Sequence, residues 1–207
     1  PDSMMHPPTA QGLKLGGTGF SGIAVSEGGA GGFPSDWQGV NFVANPITGT
    51  INTVSYQYDD KGVIRFKKEA DLVQCSDPMF RPIHVLFGPD GCLYIADWYN
   101  GIISHNEVPR DHPHRNKTHG RIWRVRHTGQ QAKTIPNPAV ADSATLLAML
   151  QSENAWTQRA AWRQIAVSND RGLVPELKKL VASERVDVAI HALWCLEGFG
   201  VFDLATW

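Results

Sequence analysis

The spacing of hydrophobic positions changes once along the chain, near residue 140. Before that point, short runs rich in Val, Ile, Phe and Tyr alternate with clusters of Gly, Pro, Asn and Asp, a pattern typical of strands and turns. Asp90-Gly91 stands between two such runs and predicts a hairpin turn, because glycine supplies the positive φ that tight turns need. The predicted strands lie at residues 20–25, 40–44, 51–58, 63–68, 83–87, 93–97 and 121–126.

After residue 143, apolar residues recur three and four positions apart, which predicts amphipathic helices. Ser143 and Asn154 are the expected N-caps, and Gly172 and Gly198 the expected ends. The helices form two pairs that repeat after roughly 30 to 40 residues, the spacing of an α-solenoid. Their segments are 143–151, 154–168, 173–183 and 185–199.

Many short strands without an intervening helix predict an antiparallel sandwich, barrel or propeller for the first half. A propeller blade takes about 40 to 50 residues, so this half would hold about three blades. Three blades do not close a ring, and two helical pairs are fewer than a solenoid usually has. We therefore expect the sequence to be a piece of a longer protein.

Composition narrows the function classes. The 207 residues carry a formal net charge of −1, which argues against bulk attraction to nucleic acid or anionic lipid. No run approaches the roughly 18 apolar residues of a membrane span. Cys75 and Cys92 either pair in an oxidising compartment or, like Cys195 on an apolar helix face, are buried thiols.

The segment from Trp98 to Gly120 is a long insertion between two predicted strands, rich in His, Arg, Asn and Asp. Long loops on rigid scaffolds are commonly functional. Zinc is one hypothesis for its histidines, but zinc sites use three or four well-placed ligands and the loop has no cysteine. Solvated, hydrogen-bonded histidines are the favoured alternative. The candidate zinc ligands are His105, His112, His114 and His119.

Calcium is a second hypothesis, because it prefers hard oxygen ligands. Asp97, Asn100 and Glu107 could supply several, together with backbone carbonyls of the loop. The alternative for Asp97 is that it caps the loop by accepting hydrogen bonds from backbone N–H groups, as Asx residues commonly do.

An anion pocket is the third hypothesis, because arginine offers planar, permanently charged donors to carboxylates. Strand alternation sends Arg121 and Trp123 to one face of the last strand, and Arg124 and Arg126 to the other. Arg121 is therefore the best single candidate, with Arg81 on a neighbouring strand. Arg124 and Arg126 are better explained as solvated residues paired with surface acids.

The aromatic residues of the loop allow two interpretations, whereas those of the helices allow only one. Trp98 and Tyr99 form either a platform for a sugar ring or a packing contact between blades. The interleaved basic and aromatic residues of RIWRVRH resemble those of proteins that bind single-stranded nucleic acid. The balanced charge of the chain, however, disfavours nucleic acid as a ligand. Tryptophans 156, 162 and 194 lie at helical spacing and are expected in the core.

Two motifs are the most specific parts of the chain: GPDGCLYIADWYN at residues 88–100 and THGRIWRV at 118–125. They resemble the "membrane-bound dehydrogenase" group of planctomycete and verrucomicrobial bacteria, which is related to the sorbosone and soluble glucose dehydrogenases. The segments 6–22 and 32–52 resemble upstream blades of that group. HALWCLEG, at residues 191–198, resembles the HEAT-type repeats that follow its propeller.

The resemblance implies a mixed fold, a partial β-propeller of antiparallel blades followed by an α-solenoid of HEAT-like helices. Residues 1–128 would be the C-terminal part of a six-bladed-type propeller, 129–142 a linker, and 143–207 the start of the repeats. The resemblance also implies an exported protein of the periplasm or cell envelope. The related sugar dehydrogenases use pyrroloquinoline quinone (PQQ) and calcium.

The function implied is part of an exported quinone-dependent dehydrogenase that oxidises an alcohol or aldehyde group of a sugar or polyol. The implied quinone-binding residues are Arg121, Arg81, His119, Trp98 and Tyr99. A downstream c-type haem domain or a cytochrome would accept the electrons, since the sequence has no C-x-x-C-H motif, and the catalytic base is expected outside it. One alternative is a non-catalytic propeller and HEAT module that binds a glycan or a protein. The other is a calcium-dependent propeller hydrolase or lactonase.

Overall fold

The computed structural model describes residues 13–16, 19–27, 32–104, 107–130 and 134–201. Within these residues, the first half forms eight strands in two antiparallel sheets and the second half forms four α-helices. The predicted order of antiparallel sheets followed by helices is therefore confirmed. The described sheets do not close into a barrel. The propeller, the solenoid and the domain boundaries at 128 and 143 stay predictions.

The first four strands of the first sheet form a meander, in which each strand pairs with the next along the chain. A short fifth strand, which the hydrophobic pattern did not predict, pairs with β3 through Ile51 and Val73. Two residues are too few to give a period, so this strand had no signal in the sequence. The bounds are β1 Gly22–Val25, β2 Asn41–Asn45, β3 Thr50–Tyr58, β4 Ile64–Lys68 and β5 Val73–Gln74.

The second sheet has three antiparallel strands, β6 Pro82–Phe87, β7 Leu93–Asp97 and β8 Arg121–Val125. The predicted hairpin turn is confirmed, with Gly91 at φ +71° and the N–H of Gly88 donating to the carbonyl of Cys92. The long insertion joins β7 to β8, so its two ends leave the sheet from neighbouring strands.

The chain divides into two compact units. The first contains the described residues up to Ser26, together with 36–87 and 93–125. The second contains the described residues of 27–35, together with 88–92 and those after 125. Both sheets and the β7–β8 loop belong to the first unit, and all four helices belong to the second.

Alternation along β7 determines what the core of the first unit contains. Leu93 and Ile95 are fully buried, and the same alternation places Asp97 on their side of the sheet with only 3% of its surface exposed. A carboxylate in that position needs hydrogen bonds to replace the water that it has lost. The sequence thus puts a charged side chain at the edge of an apolar core.

The outer strand of the first sheet is different, because all five residues of β4 are exposed. On one face, Tyr56 pairs with Phe66 and Tyr58 with Ile64. Tyr56 lies edge-on to both Tyr58 and Phe66, with ring centroids 6.0 and 6.5 Å apart. The result is an apolar surface at the end of the sheet.

The helices are α1 Ser143–Leu150, α2 Ala155–Ser168, α3 Val174–Val181 and α4 Val186–Gly198. Asn154 caps α2 as predicted, accepting a hydrogen bond from the N–H of Thr157. The cap of α1 is Asp142, not the predicted Ser143, because the Asp142 carboxylate accepts from the N–H of Thr145.

The predicted segment 154–168 ends where α2 ends, at Ser168, but the residue that stops the helix is Asn169 and not the predicted Gly172. Asn169 ends the helix in the left-handed conformation at φ +50°, three residues before Gly172. Asparagine tolerates that conformation better than most residues, so a glycine was not needed there.

One continuous apolar cluster forms the core of the helices. It includes Leu150, Ile165, Leu177 and Leu196, all fully buried. Trp162 packs against this cluster, but the prediction that Trp194 belongs to the core is wrong, since 52% of it is exposed. Trp156 is half-buried.

The three cysteines are free thiols. Cys92 and Cys195 are buried as predicted for thiols, while Cys75 is half-buried. Burial raises the pKa of Cys195 to about 12, because it disfavours the thiolate. As expected from the sequence, the described helices include none with the length and apolarity of a membrane span.

We expect Ile165→Ala to lower the free energy of unfolding by about 2 to 5 kcal/mol, because it leaves a cavity in a fully packed core. Val167→Ala on the same helix is the control; Val167 is 79% exposed, so its loss should change stability by less than about 0.5 kcal/mol. Urea unfolding followed by circular dichroism measures both. Equal effects of the two substitutions would contradict the described orientation of α2.

Candidate functional site

The Asp97 carboxylate is the centre of a hydrogen-bond network at the end of β7. Its Oδ1 accepts from the backbone N–H groups of Arg81, at 2.8 Å, and Tyr99, at 2.9 Å. Its Oδ2 accepts from Nε of Arg121, at 2.7 Å, and Nε1 of Trp123, at 2.9 Å. These four donors come from the start of β6, the start of the loop and β8. Asp97 therefore joins all three strands of the second sheet to the loop.

The electrostatics favour ionised Asp97. Burial alone would raise its pKa, but the backbone N–H of Arg81, the Trp123 indole, the backbone N–H of Tyr99 and Arg121 outweigh burial and hold the pKa below its usual value. The pKa of Asp77 is also lowered, by its hydrogen bonds from the Met79 N–H and Arg121.

Arg121 is held on several sides at once. Its Nη1 donates to Asp77 at 2.7 Å, in addition to the Asp97 bond. Its guanidinium carbon lies 4.2 Å from the centre of the Tyr99 ring and 5.0 Å from that of Trp123. Burial lowers the pKa of Arg121, but the bonds to Asp77 and Asp97 more than offset this and raise it. The predicted alternation, with Arg121 and Trp123 on one face, is confirmed.

This arrangement fits a tricarboxylate quinone poorly at Arg121. Two carboxylates already exceed the single positive charge of the guanidinium, so three further carboxylates would meet net repulsion. Arg81 uses its backbone N–H on Asp97 and its Nη1 on the carbonyl of Phe80, while its buried Nε has no partner among the described residues. The geometry gives both arginines a structural role, and their assignment as quinone ligands stays a prediction.

Tyr99 turns the chain out of the sheet. Its φ of +53° lies in the left-handed region, which non-glycine residues rarely adopt. The bond from its N–H to Asp97 and the contact of its ring with Arg121 hold it there. Trp98, beside it, is 39% exposed. Of the two predicted aromatic residues, Tyr99 therefore packs against Arg121, and Trp98 presents a surface to solvent.

The loop is supported from within by its own side chains. Nδ2 of Asn100 donates to the carbonyl of Asn116 at 2.9 Å, joining the start of the loop to its end. Arg115 donates from Nε to the carbonyl of Pro109 and from Nη2 to that of Val108. Since side chains and carbonyls replace a regular ladder, the insertion holds its shape without secondary structure.

A cleft of about 610 Å³ opens within this loop, lined by residues 111–119 together with Met79 and Gly101. A second cavity of about 320 Å³ is lined by Trp98, Asn100, Arg110, Arg115, Asn116 and Lys117. We call these the large and the small chamber. Residues 115–117 line both chambers. Their volumes are in the range of about 300 to 1,000 Å³ typical of small-molecule sites.

The predicted histidines line the large chamber. The rings of His112 and His114 lie edge to face with centroids 5.2 Å apart, and Nδ1 of His112 accepts from the N–H of His114. Nδ1 of His119 lies 2.9 Å from the Thr118 hydroxyl. His105 lies outside the described residues. Among the residues described, no three His, Cys, Asp or Glu side chains form a group that could hold a metal ion.

The three calcium candidates have different environments. Both oxygens of Asp97 accept two N–H groups each, which is the capping alternative, although side chains add to the backbone donors. Oδ1 of Asn100 accepts from the N–H of Ile102. Glu107 is exposed. A calcium ion at Asp97 would have to displace these N–H donors, so the three residues fit calcium poorly, and their assignment as ligands stays a prediction.

Three residues of the site were not predicted from the sequence. Asp77 had a local signal, since it precedes a proline and its side chain accepts from the N–H of Met79 in an Asx turn. Its bond to Arg121, however, joins residues 44 positions apart, and no local sequence pattern predicts it. Arg110 and Lys117 were part of the polar loop, but only the cavities show which of its charges come together.

The site lies in a domain that defines the family of the chain. The model of a family described as "Domain of unknown function (DUF7133)" matches residues 9–129, more than half of the sequence. The chain belongs to this family.

Comparison with curated proteins and with solved structures does not extend this assignment. No curated protein matches the chain. A solved structure titled "glucose dehydrogenase" is similar, with 22% identity and a TM-score of 0.27, over 38% of this chain and 22% of that one. Similarity at this level does not establish a common fold, and the match spans less than a quarter of that protein.

We expect Asp97→Asn to lower the free energy of unfolding at neutral pH by about 2 to 4 kcal/mol. The amide NH₂ would face two N–H donors that now bond to a carboxylate oxygen. Because folding lowers the pKa of Asp97, its stabilisation is present above the unfolded value of about 3.9 and is lost as the pH falls through the folded value.

Urea unfolding of both proteins between pH 7 and pH 2.5 measures this difference. The gap between wild type and Asp97→Asn should be widest at neutral pH and narrow below about pH 4. Asp60→Asn, in the exposed β3–β4 turn, is the control and should change stability little at any pH. A gap that stays constant with pH would contradict the ionised, hydrogen-bonded state of Asp97.

Proposed function

We propose that the loop between β7 and β8 is a carbohydrate-binding site, and that the full-length protein oxidises a sugar or polyol bound there. The observation that carries the proposal is the pair of chambers, whose lining combines an exposed tryptophan with many hydrogen-bonding side chains.

The lining suits a ligand rich in hydroxyl groups. The indole of Trp98 offers an apolar face on which a sugar ring can stack. Asn116 and Thr118 add an amide and a hydroxyl group, which donate and accept hydrogen bonds as sugar hydroxyls do. Asn100 supports this wall from behind, because its amide is bonded to the Asn116 carbonyl and to the N–H of Ile102.

The oxidation step rests on the motif resemblance of residues 88–100 and 118–125. In this proposal the described residues bind and orient the sugar. The catalytic base and any PQQ or calcium lie outside them, since Arg121 and Asp97 are taken up by each other and by Asp77. A c-type haem domain or a cytochrome would receive the electrons, and the protein would work in the periplasm or cell envelope.

A non-catalytic glycan-binding module is the second candidate. The commitment of Arg121 to two carboxylates favours it, because a binding module needs neither a quinone nor a metal. A calcium-dependent hydrolase or lactonase on the same fold is the third. It differs from the others in that a chelator should abolish cleavage of an ester or lactone.

Turnover by the full-length protein separates these candidates. Supplied with PQQ and calcium, the protein should reduce a redox dye in the presence of aldoses or polyols. Sugar binding measured by calorimetry without any dye reduction would leave the binding module, whereas ester cleavage lost on chelation would indicate the hydrolase.

We expect Trp98→Ala to weaken sugar binding about tenfold, a loss of about 1.4 kcal/mol, since it removes the apolar face on which the sugar ring stacks. Tyr58→Ala is the control, because Tyr58 is 64% exposed and lies on the β3–β4 hairpin. Calorimetric titration with the sugar that supports turnover, or binds best, measures both. Unchanged affinity of Trp98→Ala, with an unchanged melting temperature, would remove the small chamber from the site.

A further inference from the structure

The small chamber differs from the large one in the charge of its lining. Its six lining residues include three cations, Arg110, Arg115 and Lys117, and no acid. The large chamber shares Arg115 and Lys117 with it but also includes Asp111. The chain as a whole has a net charge of −1, so this concentration of positive charge is local.

Two of these cations have charges that the protein leaves available. Arg110 and Lys117 are exposed, and neither forms an ion pair within the part of the chain that the structure describes. This contrasts with Arg121, in the same unit, whose guanidinium contacts two carboxylates. Like charges held around one cavity repel one another, so a negatively charged guest would relieve that repulsion.

The same six residues also contain the groups that bind a sugar. Trp98 supplies the apolar face, while Asn116 supplies an amide group. Asn100 and Asn116 are joined by the bond from Nδ2 to the carbonyl, so the wall that they form is fixed before a ligand arrives. Arg115 is bonded to the carbonyls of Pro109 and Val108, so the exposed cations beside the 320 Å³ cavity are Arg110 and Lys117. Two exposed cations next to one exposed indole are features that recognise a sugar ring with an anionic substituent.

We propose that the small chamber binds an acidic sugar unit, carrying a carboxylate or sulfate group, and that the large chamber holds the adjoining neutral unit. This inference rests on the proposed carbohydrate-binding function and specifies its substrate class. Lys117, which lines both chambers, would contact the anionic group from the 115–117 segment, and Arg110 would contact it from the small chamber. The substrate is then an acidic disaccharide or longer oligosaccharide.

Titration of the full-length protein with matched disaccharides tests the proposal. The ligands are a disaccharide of galacturonate and galactose, a galactobiose sulfated on one unit, and neutral galactobiose. We expect at least one acidic ligand to bind tenfold or more tightly than the neutral one, and the difference to shrink as salt is raised from 50 to 500 mM, because screening weakens charge pairing.

Lys117→Gln and Arg110→Gln should each lower the affinity for the acidic ligand about five- to tenfold, the effect of losing roughly 1 to 1.4 kcal/mol from one charged contact. Affinity for neutral galactobiose should stay within twofold. Lys61→Gln is the matched control, because Lys61 is an exposed lysine in the β3–β4 turn. Unchanged melting temperatures would show that the variants are folded.

The outcomes separate the two proposals. Equal affinity for acidic and neutral disaccharides, or acidic binding that both glutamine variants retain in full, would overturn the acidic-sugar inference and leave the carbohydrate site standing. If none of the three ligands binds, both proposals fail.

Discussion

The second sheet and its loop depend on one buried carboxylate. Asp97 comes at the end of an alternating apolar strand, so the core holds it where it cannot reach water. Its four hydrogen bonds replace that water and, in doing so, join β6, β8 and the first turn of the loop. A buried group that needs several partners at once specifies a single arrangement of those partners. The insertion can therefore lack regular structure and still begin and end at fixed places, from which Trp98 faces the small chamber.

The hydrophobic pattern predicted the strands and helices well, because their burial follows a local period. Every predicted strand has a counterpart, and Asp90-Gly91 forms the expected turn. The errors in the predicted elements lie at positions where the spacing of hydrophobic residues carries no information about the structure. Strand β5 is held only by its partner β3, and α2 ends at Asn169 because of a backbone conformation that a period does not encode. Trp194 follows the helical spacing, but its side of α4 is left uncovered.

The candidate site was predictable as a location and not as a set of contacts. The length and the polar composition of the loop after β7 made it the candidate segment, and the two chambers lie there. Charge could not be assigned in the same way, because the sequence shows which residues are cationic but not which of them meet an acid. Arg121 was the strongest candidate for an anion ligand, yet Asp77 and Asp97 neutralise it. The sequence pattern did not distinguish Arg110 and Lys117 from the other cations of the loop, although neither is paired with an acid among the described residues.

The fully exposed strand β4 has a consequence for how copies of this protein behave at high concentration. Its outer backbone groups lie at the end of the sheet, where another extended segment could pair with them. The strand combines apolar Ile64 and Phe66 with the cations Arg65, Lys67 and Lys68. Each of these cations is paired with an acid, Arg65 with Asp59, Lys67 with Glu69 and Lys68 with Asp71. A second extended segment could pair with β4 only by accommodating these charged side chains, and charge along an edge strand is one of the devices by which proteins discourage edge-to-edge association.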